Sequence, residues 1–223
     1  MIAPDDLPPT TSGASEWLRE FLAGTNGRLM ALKGPNASGI LHEIAACSLL
    51  DPEPTLFICG DNRLDPSTLI RKARENGIHP SILLARLHLS RTFTIHQFSA
   101  VITRNLKKSL DRYGSRVVLV SGAIPLFCDN AVPERESLGI LEESLLHLKS
   151  LANRGTLILL SLEAPGPSPE KRCQKLLSQI LGRADWIWEH TAPQDAWVLR
   201  TPRESSPNPG ETNKPLSQHP LSR

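Results

Sequence analysis

The stretch whose residue types and spacing come nearest to site chemistry is Gly34-Pro35-Asn36-Ala37-Ser38-Gly39-Ile40-Leu41. An apolar run, Arg28 to Leu32, precedes it. Apolar residues at helical spacing follow it, at Ile40, Leu41, Ile44, Ala45 and Leu49. A strand, a Gly-x-x-x-x-Gly turn and a helix form the layout of a phosphate-binding loop, in which backbone N–H groups at the helix start cradle phosphate oxygens. The chemistry also needs a Lys after the second Gly, to reach the outer phosphates, and then a Ser or Thr to hold Mg²⁺. Ile40 and Leu41 stand there, and neither side chain can do either job. On its own the pattern also fits an ordinary strand-to-helix turn.

The other reactive residue types are scattered. Cys47, Cys59, Cys128 and Cys173 are far apart in sequence, without a Cys-x-x-Cys pair or a histidine at metal spacing. Neither structural zinc nor a disulfide framework is expected, and a reducing compartment fits. His42, His79, His88, His96, His147, His190 and His219 read as surface or core filler. Trp186 and Trp188 alternate on a strand and read as packing or a subunit contact, with base stacking the less favoured use. Charge is uneven. The whole chain carries +2, but residues 71–116 hold ten Lys/Arg against two acids, a local +8 inside a −6 remainder. Arg104, Lys107, Lys108 and Arg112 share part of one helix face there. Such a band can be a solvated face, a docking surface for protein or a nucleic-acid surface.

These residues need a frame. The chain has 223 residues, 39% of them hydrophobic, enough for one α/β domain with a sizeable core. Continuous apolar runs at 28–32, 55–59, 117–121 and 156–162, with a further strand at 83–89, alternate with helical patterns at 40–49, 66–76, 98–113, 136–153 and 170–181. A strand pair at 185–189 and 196–200 closes the order. Apolar strands alternating with helices predict a mostly parallel sheet covered on both faces, a three-layer α/β/α domain. Residues 1–13 read as a flexible N-terminus, Ser15 as the cap of a first helix, 14–201 as the core domain and 202–223 as a disordered Pro-rich tail. No run approaches the 18 or so apolar residues that a membrane span requires. The expected location is cytoplasmic, or nucleoid or nuclear, and not secreted.

Several blocks together resemble the RecA-like recombinase family. Gly27-Arg28-Leu29 and Gly34 to Gly39 resemble that family's "GRI" and "GPESSGKT". Phe57 to Leu69 resembles its "IDTEGTFRPERL", and Ser90 to Gln97 its "ARAFNTDHQ". Val117 to Ser121 sits where the Walker B strand falls, and Thr156 to Leu162 where the strand before the second DNA-binding loop falls. The resemblance covers roughly residues 15–200 and implies a RecA-like P-loop NTPase fold. It places Gly34, Pro35, Asn36, Ala37, Ser38, Gly39, Ile40, Leu41 and Ser121 at a degenerate nucleotide site. It puts Asp61 at the family's catalytic Glu, and Leu162 or Glu163 at its sensing Gln.

The lost Lys, hydroxyl and Walker B acid remove the charge neutralisation on which phosphoryl transfer relies. The resemblance thus implies a pseudo-ATPase, an accessory or scaffold protein in DNA recombination or repair. No cofactor is expected, with ATP and Mg²⁺ entering only if the degenerate loop is still competent. The implied partners are a recombination or repair protein, or a second copy through the RecA-type surface, and single-stranded DNA. The family's DNA loops fall at about 129–136 and 164–172, where only Lys171 and Arg172 add a basic pair. Two other readings stand beside this one. One is an active DNA-dependent ATPase whose missing groups come from a neighbouring subunit. The other is a RecA-fold regulator with no DNA role.

Overall fold

A computed structural model describes residues 27–163, 170–191 and 196–201. The expectations for the N-terminus, the helix opened by Ser15, the loop at 164–169 and the C-terminal tail lie outside the described residues.

The chain runs β1 (Arg28–Lys33), α1 (Ala37–Ser48), β2 (Thr55–Cys59), α2 (Pro66–Glu75), α3 (Pro80–Arg86) and β3 (Leu87–Arg91). Next come α4 (Ile95–Ala100), a π-helical turn (Val101–Asn105) and α5 (Leu106–Tyr113). Then follow β4 (Val117–Ser121), α6 (Ala123–Phe127), α7 (Glu134–Ala152), β5 (Leu157–Leu162), α8 (Lys171–Arg183), β6 (Trp186–Thr191) and β7 (Ala196–Arg200). The strands form one sheet in the order β3-β2-β4-β5-β1-β6-β7. All neighbours are parallel except β6 and β7, which are antiparallel. This is a three-layer α/β/α architecture with a mostly parallel sheet, the architecture that the resemblance implies.

Side chains alternate across a strand, so each apolar strand feeds two cores. Leu29, Ala31, Val118, Val120, Ile158 and Leu160 face α4 to α8. Met30, Leu32, Phe57, Leu119 and Leu159 face α1, α2 and α3. Strands β1, β2, β4 and β5 are buried nearly throughout, and each fully buried Leu or Ile contributes ~1.5–3 kcal/mol. Among the described residues no helix is long and apolar enough to cross a membrane.

Three local expectations are corrected. Residues 83–89 are not one strand. Pro80 opens α3, with the His79 side chain accepting from Ser81 N, and β3 starts only at Leu87, where pairing with Thr55 begins. The basic band is not one surface. Its helices α2 and α5 pack on opposite faces of the sheet. Within it, Arg71 pairs with Glu43 and Glu75, and Arg116 with Glu53. Finally, Cys128 and Cys173 form a disulfide, their Cα atoms 5.4 Å apart. Forty-five residues separate them in sequence, but the fold sets the end of α6 against the first turn of α8. Cys47 and Cys59 are buried thiols outside that disulfide.

Candidate functional site

Ligands of open α/β sheets sit outside the carboxyl ends of strands where consecutive connections leave on opposite faces. Two such crevices adjoin here. The connection after β1 crosses one face through α1, while that after β5 crosses the other through α8. The connections after β2 and β4 diverge in the same way, through α2 and α7. The register sets Lys33 opposite Leu162 and Cys59 opposite Ser121, so the turn at Gly34 and the residues after β5, β4 and β2 share this edge.

The turn itself is tight. Gly34 has φ 148°, and a Cβ there would lie 2.5 Å from His190 Cβ, so only glycine fits. Asn36 takes a left-handed φ of 60° at the N-cap of α1. Its side chain covers Gly39, where an added Cβ would meet Asn36 Oδ1 at 2.1 Å. Helix α1 begins at Ala37, inside the Gly34–Gly39 span and three residues before the expected start. Its first N–H groups are engaged. Ala37 N donates to Gly34 O at 3.3 Å, and Ser38 N donates to a Glu163 carboxylate oxygen at 2.6 Å. Ser38 Oγ lies 3.2 Å from Ser161 Oγ. A helix N-terminus carries about half a positive charge and attracts anions. Here the anion is the chain's own carboxylate. Of Leu162 and Glu163, the pair aligned with a sensing Gln, Leu162 is buried in the core and Glu163 reaches the turn.

Ile40 and Leu41 are used for packing. Leu41 is fully buried, and Ile40 packs against the same core cluster with part of its surface exposed. The structure thus turns the places of the Lys and the metal-binding hydroxyl toward apolar neighbours. Lys33, the cation just before the turn, pairs with Glu189 at 2.6 Å.

The second crevice holds Asp61 and Ser121. Asp61 Oδ1 accepts from Ser121 Oγ, Cys59 Sγ and Arg63 N, each at 3.2 Å. Ser121 is fully buried, and Gly60 N donates to its carbonyl at 2.9 Å. Gly122 has φ 68°, and a Cβ there would lie 2.3 Å from Asp61 N. The two positions that the resemblance assigns to catalysis and metal binding are therefore bonded to each other. Nearby, on α1, His42 is buried and stacked on Phe57 with ring centres 5.6 Å apart. Burial lowers its pKa from the ordinary value, against the opposing pull of Asp65, Asp61, Glu163 and Glu43. Asp65, at the N-cap of α2, is held at about 2 by the hydroxyls of Ser67 and Thr68. Among the described residues no group of His, Cys, Asp or Glu is arranged to hold a metal ion.

The basic residues divide. Arg104, Lys107, Lys108 and Arg112 are all exposed along the π turn and α5. Lys171 is exposed, but Arg172 is buried. The Arg172 guanidinium donates to Phe127 O, Val132 O and Ser137 Oγ, at 2.9, 2.7 and 2.6 Å. Arg172 is therefore a strut that ties α8 to the segment after β4, which corrects its assignment to a DNA or partner surface. Trp188 is buried in the core and Trp186 is half-buried with Arg28 over its ring at 6.0 Å, so neither is a free stacking platform. Sequence reading missed the Glu163–Ser38 bond and the Cys128–Cys173 pair. The Glu at the end of a strand beside a glycine turn was the available signal for the first.

The chain matches no protein-family model, and no curated protein matches it significantly.

Proposed function

We propose that this chain is an ATPase-dead RecA-like paralogue that acts as an accessory or scaffold protein in DNA recombination or repair. The observation that carries the loss of activity is the state of the turn after β1. The helix N–H of Ser38 is taken by Glu163, and the positions of the phosphate-reaching Lys and the Mg²⁺-holding hydroxyl are Ile40 and Leu41, packed against the core. A nucleotide arriving there would meet a carboxylate where the transferred phosphate needs positive charge. Such an exchange removes the electrostatic stabilisation that dominates phosphoryl transfer. What the domain retains is its shape, and a rigid α/β/α body can serve as a docking unit without chemistry.

The recombination role rests on the residue resemblance together with the fold. Calorimetric titration of the full chain with ATP, with and without Mg²⁺, tests the nucleotide part. Binding weaker than millimolar is expected, and micromolar Mg²⁺-dependent binding would overturn the reading. Capture of a recombination protein from the native cell, reproduced with purified components, tests the scaffold part.

A further inference from the structure

The opposite edge of the sheet, where the strands begin, has a different electrostatic character. We propose that this edge binds the phosphodiester backbone of nucleic acid, through a crest of Arg104, Lys107, Lys108 and Arg112 continued by Arg116 and Arg154. The crest follows the exposed side of the π turn and α5, whose other side buries Ile102, Leu106 and Leu110. At its end opens a cleft of about 590 Å³ lined by Lys107, Asp111, Gly114, Arg116, Arg154 and Gly155 among others.

The charge there exceeds what the fold consumes. Lys107 pairs with Asp111 at 2.5 Å, and Arg116 with Glu53. Arg104, Lys108, Arg112 and Arg154 are exposed and have no acidic partner among the described residues. Helices α5 and α7 end at this edge, and each carboxyl end carries about half a negative charge. Together they offset about one of the four unpaired cations. Gly114 and Gly155, at φ 65° and 100°, have nothing within 4 Å of an added Cβ, so no side chain crowds the cleft rim there.

Two features choose nucleic acid over an acidic protein. Stable protein interfaces are anchored by buried aromatic or aliphatic side chains. The large apolar side chains exposed among the described residues are Ile82, Leu84, Phe93 and Leu146, and none lines the cleft or belongs to the crest. The surface is thus charge without an anchor, which suits a polyanion. Arginine forks, moreover, match phosphate oxygens two at a time. The binding is backbone-directed and indifferent to base sequence. Tyr113, the aromatic ring at the end of α5, is already engaged by His88, stacked at 3.5 Å, and by Arg112, 5.4 Å from the ring centre. No base-stacking platform remains there.

This inference rests on the charge layout and not on the lost nucleotide chemistry, so its failure would leave the pseudo-ATPase reading standing. The test is fluorescence anisotropy of the full chain with a labelled oligothymidylate of about twenty nucleotides over a salt series. Four phosphate contacts predict a slope of log K against log salt of about −3 for a single strand. Lys108→Glu with Arg154→Glu, two exposed side chains without an acidic partner among the described residues, should weaken binding about tenfold or more at low salt and flatten the slope by about 1.4. Arg74→Glu with Arg91→Glu, at exposed sites in the last turn of α2 on the other face of the sheet and at the end of β3, outside the crest and the cleft, should leave affinity unchanged. Absence of salt-dependent binding overturns the proposal. So does an equal loss in the Arg74/Arg91 variant. Tighter binding of polyglutamate than of the oligonucleotide, abolished by the same Lys108/Arg154 variant, would assign the edge to an acidic protein instead.

Discussion

The two edges of the sheet treat charge in opposite ways. At the carboxyl edge the polar groups turn to one another: Glu163 to Ser38, Asp61 to Ser121 and Cys59, Lys33 to Glu189. Lys108, Arg112 and Arg154 toward the amino edge, and Arg104 partway along the helical run that leads to it, are exposed and without acidic partners among the described residues. A parallel α/β sheet ordinarily favours anions at its carboxyl edge, where helices begin, and cations at its amino edge, where they end. This chain obeys that dipole rule at both edges, but it fills the anion site with its own carboxylate and oversupplies the cations. On the reading proposed above, the fold keeps its frame while the surface that meets phosphate lies at the other edge.

The largest effect is expected from an attempt to restore phosphate-binding residues at the carboxyl edge. Ile40→Lys with Leu41→Thr should destabilise the protein by about 2–5 kcal/mol in a denaturant titration, because Leu41 is fully buried. It should still bring no ATP binding, since Glu163 and Ser121 are untouched. Micromolar ATP binding by this variant would show the edge to be latent rather than filled.

Arg172→Ala should cost about 3 kcal/mol, because it leaves the carbonyls of Phe127 and Val132 and the Ser137 hydroxyl without their buried donor. Lys171→Glu next to it, at an exposed site, should change stability by less than about 0.5 kcal/mol. Equal effects would mean that Arg172 is no strut.

His42 gives the next effect. Its lowered pKa means that the folded chain resists its protonation. Stability from the neutral ring is complete above the unfolded value of 6.5 and falls as pH drops below it. His42→Phe should flatten the decline in melting temperature between neutral pH and mild acid. An unchanged slope would place the acid sensitivity elsewhere.

Asp65→Ala, which removes the cap of α2, should cost about 1 kcal/mol. In the parent chain this contribution is present above pH 3.8 and is lost as pH falls toward about 2. A pH-independent cost would show that the carboxylate form is not what caps the helix.

The frame of the molecule is readable because apolar strands and amphipathic helices leave a local imprint. The runs at 117–121 and 157–162 are continuous because both faces of β4 and β5 are covered. What local patterning misses is set by tertiary contact. The stretch 83–89 is apolar enough for a strand, yet Pro80 and the His79 cap make its first half helical. Arg172 resembles Lys171 in sequence, but one is a buried strut and the other is exposed. The +8 band is contiguous along the chain, but the fold divides it between two faces of the sheet. At the candidate site, the absence of Lys after Gly39 is plain from the sequence. That Glu163 fills the helix N-terminus follows only once β1 and β5 are neighbours.

The contrast between the edges is tested most directly by hydrogen–deuterium exchange of the full chain in the presence of Mg²⁺-ATP and, separately, of single-stranded DNA. The account predicts that DNA slows exchange in residues 104–116 and 151–156, and that ATP leaves residues 34–41 unchanged. Protection of residues 34–41 by ATP, with no protection of 104–116 by DNA, would contradict it.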